Sequence, residues 1–128
     1  MQITAGTQTN TALVASTSTA VTDGPSIESE QGMLRFRLRS GGQIFDRGSV
    51  PYSATEHRWW QLRERAGTTY WEMSPDAVTW TIGYQEASGA NTTAFISLAA
   101  GTNGTASATP GTAIFDNFNG GGLPPSCP

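Results

Sequence analysis

The sequence predicts an all-β fold of two packed antiparallel sheets, a sandwich or jelly roll, and three observations predict it. Short strand-like runs recur between turn signals at roughly ten-residue intervals, about eight to ten of them in all. No stretch repeats its apolar residues with the period of a helix. Composition agrees. Only 13% of the 128 residues are charged, and Thr, Ser, Gly and Ala dominate the rest, a poor mixture for helices and a good one for strands joined by turns. Four Trp, five Phe and three Tyr separate the chain from disordered sequences of similar polarity.

Taken in order, Thr11–Ser16 (TALVAS) is the first strand candidate, and Ser26–Gln31 follows the turn Asp23-Gly24-Pro25. Met33–Ser40 (MLRFRLRS) alternates cleanly, with Leu34, Phe36 and Leu38 on one face and Arg35, Arg37 and Arg39 on the other. Gly41-Gly42 breaks that run, and Gln43–Arg47 reads as its hairpin partner. Arg58–Arg65 comes next and turns at Ala66-Gly67 into Thr68–Met73. Ser74-Pro75-Asp76-Ala77 has the composition of a type I turn. Val78–Tyr84 (VTWTIGY) alternates again, which predicts that Val78, Trp80, Ile82 and Tyr84 share a face. Thr92–Leu98, a Gly/Thr/Ala-rich region and Thr112–Asn119 complete the set.

The length suits one domain, placed at residues 1–119, with a Gly/Pro-rich tail at 120–128 (GGGLPPSCP) that is expected to pack against a neighbouring subunit or its own domain. A net charge of −3 gives no bulk attraction to nucleic acid or anionic membrane. No run approaches the ~18–20 apolar residues of a membrane span. The opening MQITAGTQTN lacks the charged and apolar regions of a signal peptide, so any export is expected to be encoded elsewhere or to follow lysis. The single cysteine, Cys127, has no partner within the chain and reads as a tail thiol or an intermolecular cross-link.

The segment HRWWQLRERAGTTYWEMSPDAVTWT resembles a pattern of bacterial and phage concanavalin A-like lectin/glucanase jelly rolls: an "RWxxLR" strand, a hairpin, then "WExSPDGxxWT". GTAIFDNFN resembles the last strand of those domains. The likeness spans roughly Met33 to Asn119 and implies an antiparallel two-sheet jelly roll. Two departures stand out. Ala77 replaces the Gly of the "SPDG" turn, which implies a different or mildly strained turn. No counterpart of the family's opening strands is legible, so the expectation is a trimmed version, a piece of a longer chain, or a sheet completed by a neighbour.

The adjacent tryptophans Trp59 and Trp60 point to opposite faces of their strand. Trp60 and Leu62 are expected in the core with Leu34, Phe36, Leu38, Trp80 and Ile82. Trp59, Gln61 and Arg63 then share the outer face, where the hairpin partner adds Tyr70 and Glu72, and where Arg35, Arg37 and Arg39 join if Met33–Ser40 lies in the same sheet. An aromatic ring stacks on the apolar face of a sugar, while Arg, Gln and Glu match its hydroxyls. The other reading lays the arginines over the ring as cation–π lids.

Catalysis has little to stand on. The glucanases of the resembled fold need closely spaced carboxylates. Glu28-Ser29-Glu30 lacks their intervening Asp and third acid, and reads as a solvated edge strand. His57, the one histidine, has no nucleophile motif beside it. No Cys/His cluster suits zinc, and Asp116, Asn117 and Asn119 are a thin calcium set. Asp76 is better read as a turn former, and Asn91 and Asn103 begin Asn-X-Thr triplets that are expected to stay unmodified turn residues. The expectation is a non-enzymatic, cofactor-free, carbohydrate-binding domain on an extracellular or virion surface, with a glycan or polysaccharide as partner. The alternative is a structural subunit of a phage particle or filament, whose contacts are protein–protein through its termini.

Overall fold

The computed structural model describes residues 2–4, 9–88, 94–102 and 113–116. Ten strands follow one another: β1 (Gln2–Thr4), β2 (Thr9–Ser16), β3 (Gly24–Glu30), β4 (Met33–Ser40), β5 (Gln43–Pro51), β6 (Trp59–Arg65), β7 (Thr68–Ser74), β8 (Thr81–Ala87), β9 (Phe95–Thr102) and β10 (Ile114–Asp116). They form two antiparallel sheets that pack as a β-sandwich. The first, sheet B below, is ordered β5-β4-β3-β2-β9; the second, sheet A, is ordered β10-β1-β6-β7-β8. β2 to β5 make one continuous meander and β6 to β8 another. The chain then returns to sheet B as β9 and to sheet A as β10.

Alternation drives both meanders. In β4, Leu34 and Phe36 are buried while the intervening arginines face away from the opposite sheet. Leu34 and Phe36 join Leu13 and Ile27 of sheet B against Trp60, Trp71 and Met73 of sheet A, with Val50, Tyr52, Leu62, Tyr84 and Phe115 at the margins. Full burial of each such side chain contributes about 1.5–3 kcal/mol. Both buried indoles find acceptors. Trp60 Nε1–H donates to the His57 carbonyl at 2.8 Å. Trp71 Nε1–H crosses to the facing sheet and is shared by the carbonyls of Ser26 and Arg37, at 3.0 and 3.2 Å. On the β5–β8 side a ladder shift beside Arg37 makes a bulge, and Arg47 within it forms an ion pair with Glu86 of β8 at 3.0 Å, linking the sheet edges.

Five expectations need correcting. The strand predicted at Val78–Tyr84 lies at Thr81–Ala87. Ser74 Oγ accepts the N–H groups of Asp76 and Ala77, and Asp76 Oδ1 accepts those of Val78 and Thr79, so the chain is still turning there. These backbone donors, Thr79 foremost, hold the Asp76 carboxyl below its ordinary pKa. Val78 is consequently 81% exposed. Second, a bulge at Gly83 resets the alternation, so Tyr84 packs on Trp71 while Ile82 points outward and is 49% exposed. Neither Ile82 nor the half-buried Trp80 is a core residue, and Leu38 is only half-buried. Third, β4 belongs to the sheet opposite β6, which separates Arg35 and Arg37 from Trp59. Fourth, Glu28 and Glu30 lie on the central strand of their sheet, not an edge. Fifth, the segment of Thr11–Ser16 is not the first strand, since the three-residue β1 precedes it and sits between β10 and β6. The tail, Cys127, Asn91, Asn103, Asn117 and Asn119 lie outside the described residues.

Candidate functional site

The outer face of sheet A collects five of the residues singled out in the sequence. Cross-strand partners share a face, and β6 pairs with β7 as Trp59↔Ser74, Gln61↔Glu72 and Arg63↔Tyr70. Trp60↔Met73 and Leu62↔Trp71 occupy the inner face between them. Trp59, Gln61 and Arg63 therefore stand in one row along β6, spanning about 13 Å at the usual rise per strand residue. Glu72 and Tyr70 stand in the neighbouring row.

Arg63 organises this face. Its Nε and Nη2 grip both Glu72 oxygens, at 2.9 and 2.6 Å. Its guanidinium lies over the Tyr70 ring, 4.3 Å from the centroid. The two-pronged bond needs the planar fork of an arginine. The hydrogen bond to Glu72 raises the Arg63 pKa further, so the group stays cationic throughout the working range of a protein. Nε and Nη2 face Glu72, which leaves Nη1 directed away from the pair. Glu72 is only 4% exposed beneath Arg63. The arrangement is thus a patch with a half-buried indole at one end, an amide in the middle and a stacked, charge-paired guanidinium at the other.

Two further members of this face lie on β8, where Gln85 pairs with Tyr70 and Ile82 with Glu72. Sequence alternation assigns Ile82 to the core because it runs straight through Gly83. A glycine inside a strand pattern is the available signal of a bulge.

Arg35 and Arg37 serve the outer face of the other sheet. Arg37 reaches three carboxylates: Glu28 at 2.5 Å, Asp46 at 2.7 Å and Glu30 at 2.8 Å. Arg39 adds a bond to Glu28 at 2.7 Å, and Arg35 sits 3.5 Å from both Glu30 and Asp46. Glu28 is 2% exposed. Burial alone would raise its pKa, but hydrogen bonds from Ser26, Arg39 and Arg37 outweigh it and hold the carboxyl below its ordinary value. The same carboxylates raise the Arg37 pKa against the effect of burial. This network fastens β3, β4 and β5 together.

The remaining polar features are engaged locally. His57 Nδ1 accepts the Ser53 N–H at 3.1 Å, and burial lowers its pKa. An open recess of about 350 Å³ at one end of the sandwich is lined by Asp23, Leu38, Thr69, Trp71 and Glu86 among others. Its acids are already occupied, Asp23 by Gly41 N–H and Thr22, and Glu86 by Arg47. Among the described residues no group of three or more His, Cys, Asp or Glu side chains is placed to hold a metal ion.

Comparison with protein-family models, with curated proteins and with solved structures finds no match to this chain.

Proposed function

We propose that the outer face of β6, β7 and β8 is a carbohydrate-binding platform, and that the chain is a non-catalytic, lectin-like domain of concanavalin A-like jelly-roll type displayed on an extracellular or virion surface. The observation that carries the reading is the row Trp59–Gln61–Arg63 beside Tyr70 and Glu72 on one outward face, already ordered by the Arg63–Glu72 pair. A sugar stacked on Trp59 has the Gln61 amide next along the strand and Arg63 Nη1 beyond it. The length of the row suits an oligosaccharide better than one sugar unit. Ala77 also supports the resemblance: it stands at φ 63°, the left-handed conformation that the glycine of the resembled turn serves. An open face covers little of a ligand, so affinity per site is modest and repetition supplies avidity.

A glycan array tests the proposal, followed by titration of the best hit. Wild type binds; Trp59→Ala loses binding while its circular dichroism spectrum stays that of the wild type. Silence across the array, or unchanged binding in Trp59→Ala, overturns the reading.

A further inference from the structure

The four sheet edges are not alike. β5 carries Asp46, Arg47, a terminal Pro51 and a bulge. β8 carries Glu86 and the Gly83 bulge. β10 is only three residues long. These are the usual devices that stop a sheet edge from recruiting another strand. β9 has none of them. Its eight residues, FISLAAGT, include no charge and no proline, and pair with β2 in unbroken register from Thr9↔Thr102 to Ser16↔Phe95. Among the described residues, β2 is its sole neighbour.

Its side chains are exposed where a continuing sheet would cover them. Ile96 and Leu98 pair with Ala15 and Leu13, so they face the sandwich interior, yet they are 46% and 38% exposed. Phe95, on the other face, is 45% exposed.

The sequence of β9 also says what covers it. Around Ser97 two branched aliphatic residues of equal size, Ile96 and Leu98, flank it on the inner face, and a large and a small residue, Phe95 and Ala99, lie beyond them on the outer face. We infer that β9 is a self-recognition edge, on which a second copy of this chain lays its own β9 antiparallel about a two-fold axis through Ser97. Ile96 then meets the partner's Leu98, Leu98 the partner's Ile96, and Phe95 the partner's Ala99. Sheet B continues across the axis as ten strands. An uncharged strand puts no like charges opposite each other at the axis. The contact is isologous and consumes both edges, so it closes at a dimer and does not run on as a fibre. The axis is normal to the sheet, so the outer faces of both copies' sheet A point the same way. If those faces bind glycan, the pair is bivalent toward one repetitive ligand; the dimer itself does not depend on that reading.

Light scattering across dilution, with separately purified variants, tests the inference. Wild type is expected at twice the chain mass. Ser97→Lys and Ser97→Glu each set like charges face to face at the axis on a partly buried outward position, and each is expected at the mass of a single chain with an unchanged circular dichroism spectrum. Mixing the two restores the dimer. Amide exchange on wild type gives a second readout that needs no substitution: protection at 95–101 rises with concentration while that of β5 and β8 does not. A monomeric wild type, dimers that survive both substitutions, larger assemblies, or concentration-dependent protection at another edge would each overturn the β9 dimer.

Discussion

Removing Glu28 should unlock the outer face of sheet B. Its side chain is 3% exposed, against 20% for Glu30 and 55% for Asp46, although all three contact Arg37. That gradient decides the magnitudes. Breaking a buried ion pair by removing one partner costs about 3–5 kcal/mol, because the other charge stays buried and uncompensated. An exposed pair is worth about 0–1 kcal/mol. Glu28→Ala leaves Arg39 without the Glu28 carboxylate and Arg37 with two of its three acids, so about 3 kcal/mol is expected, from the lower end of the range. Asp46→Ala should cost less than 1 kcal/mol and Glu30→Ala should fall between them. At about 3–5 °C per kcal/mol for a chain of this size, Glu28→Ala lowers Tm by about 10 °C or more. Acid provides an independent check. The folded pKa of Glu28 lies below its ordinary 4.5, so folding favours the carboxylate form. That stability is fully present above about pH 4.5 and is lost as pH falls through the folded pKa. Urea unfolding at pH 7 and again between pH 5 and 3 should therefore show a shallower acid loss in Glu28→Gln than in wild type. Equal costs for the three alanine variants, or an identical acid slope in Glu28→Gln, would refute the claim that burial sets the strength of this network.

Three further outcomes follow from backbone geometry. A Cβ at Gly83 would lie 2.1 Å from Phe36 Cζ, and Phe36 is 1% exposed, so Gly83→Ala should cost about 2–3 kcal/mol by overpacking; adding Phe36→Leu should recover about 1 kcal/mol or more of it, as a double-mutant cycle in urea will show. Ala77→Gly relieves about 1–2 kcal/mol of left-handed strain against about 0.4–1 kcal/mol of added chain entropy, and should raise stability by about 0.5–1 kcal/mol in the same assay. Val21, β-branched at φ 57°, should respond to Val21→Asn with a higher Tm, since asparagine tolerates that conformation better.

The parts of the fold that were legible in the sequence are those fixed by local pattern. Met33–Ser40 is bounded by turns and alternates without interruption, and the strand has those same limits. The opposed tryptophans follow from the two-residue period alone: Trp60 is buried and Trp59 is on the outer face. Alternation assigns a residue to a face, however, and never a strand to a sheet. Arg35 and Arg37 share a pattern with Trp59 but not a sheet, because strand order depends on pairing between distant segments. Val78, Trp80 and Ile82 mislead for two local reasons, the capture of two backbone N–H groups by Asp76 and the extra residue at Gly83. Gln2–Thr4 is too short to show any period, and its partners are β6 and β10, far along the chain. The burial of Glu28 has a different cause: alternation puts it on the outer face, and only the pairing of β3 between β2 and β4 shows that arginines of the next strand cover it.

The shared hydrogen bond of Trp71 has a kinetic consequence. Its acceptors, Ser26 and Arg37, lie 45 and 34 residues away along the chain, both in the first meander, while Trp71 belongs to the second. Each meander closes through short hairpins, at little entropic cost, but this bond can form only once the two have met. The indole therefore reports the meeting of the two meanders. The part of the fluorescence change on refolding that Trp71→Phe removes should therefore not precede the appearance of strand signal in the far ultraviolet.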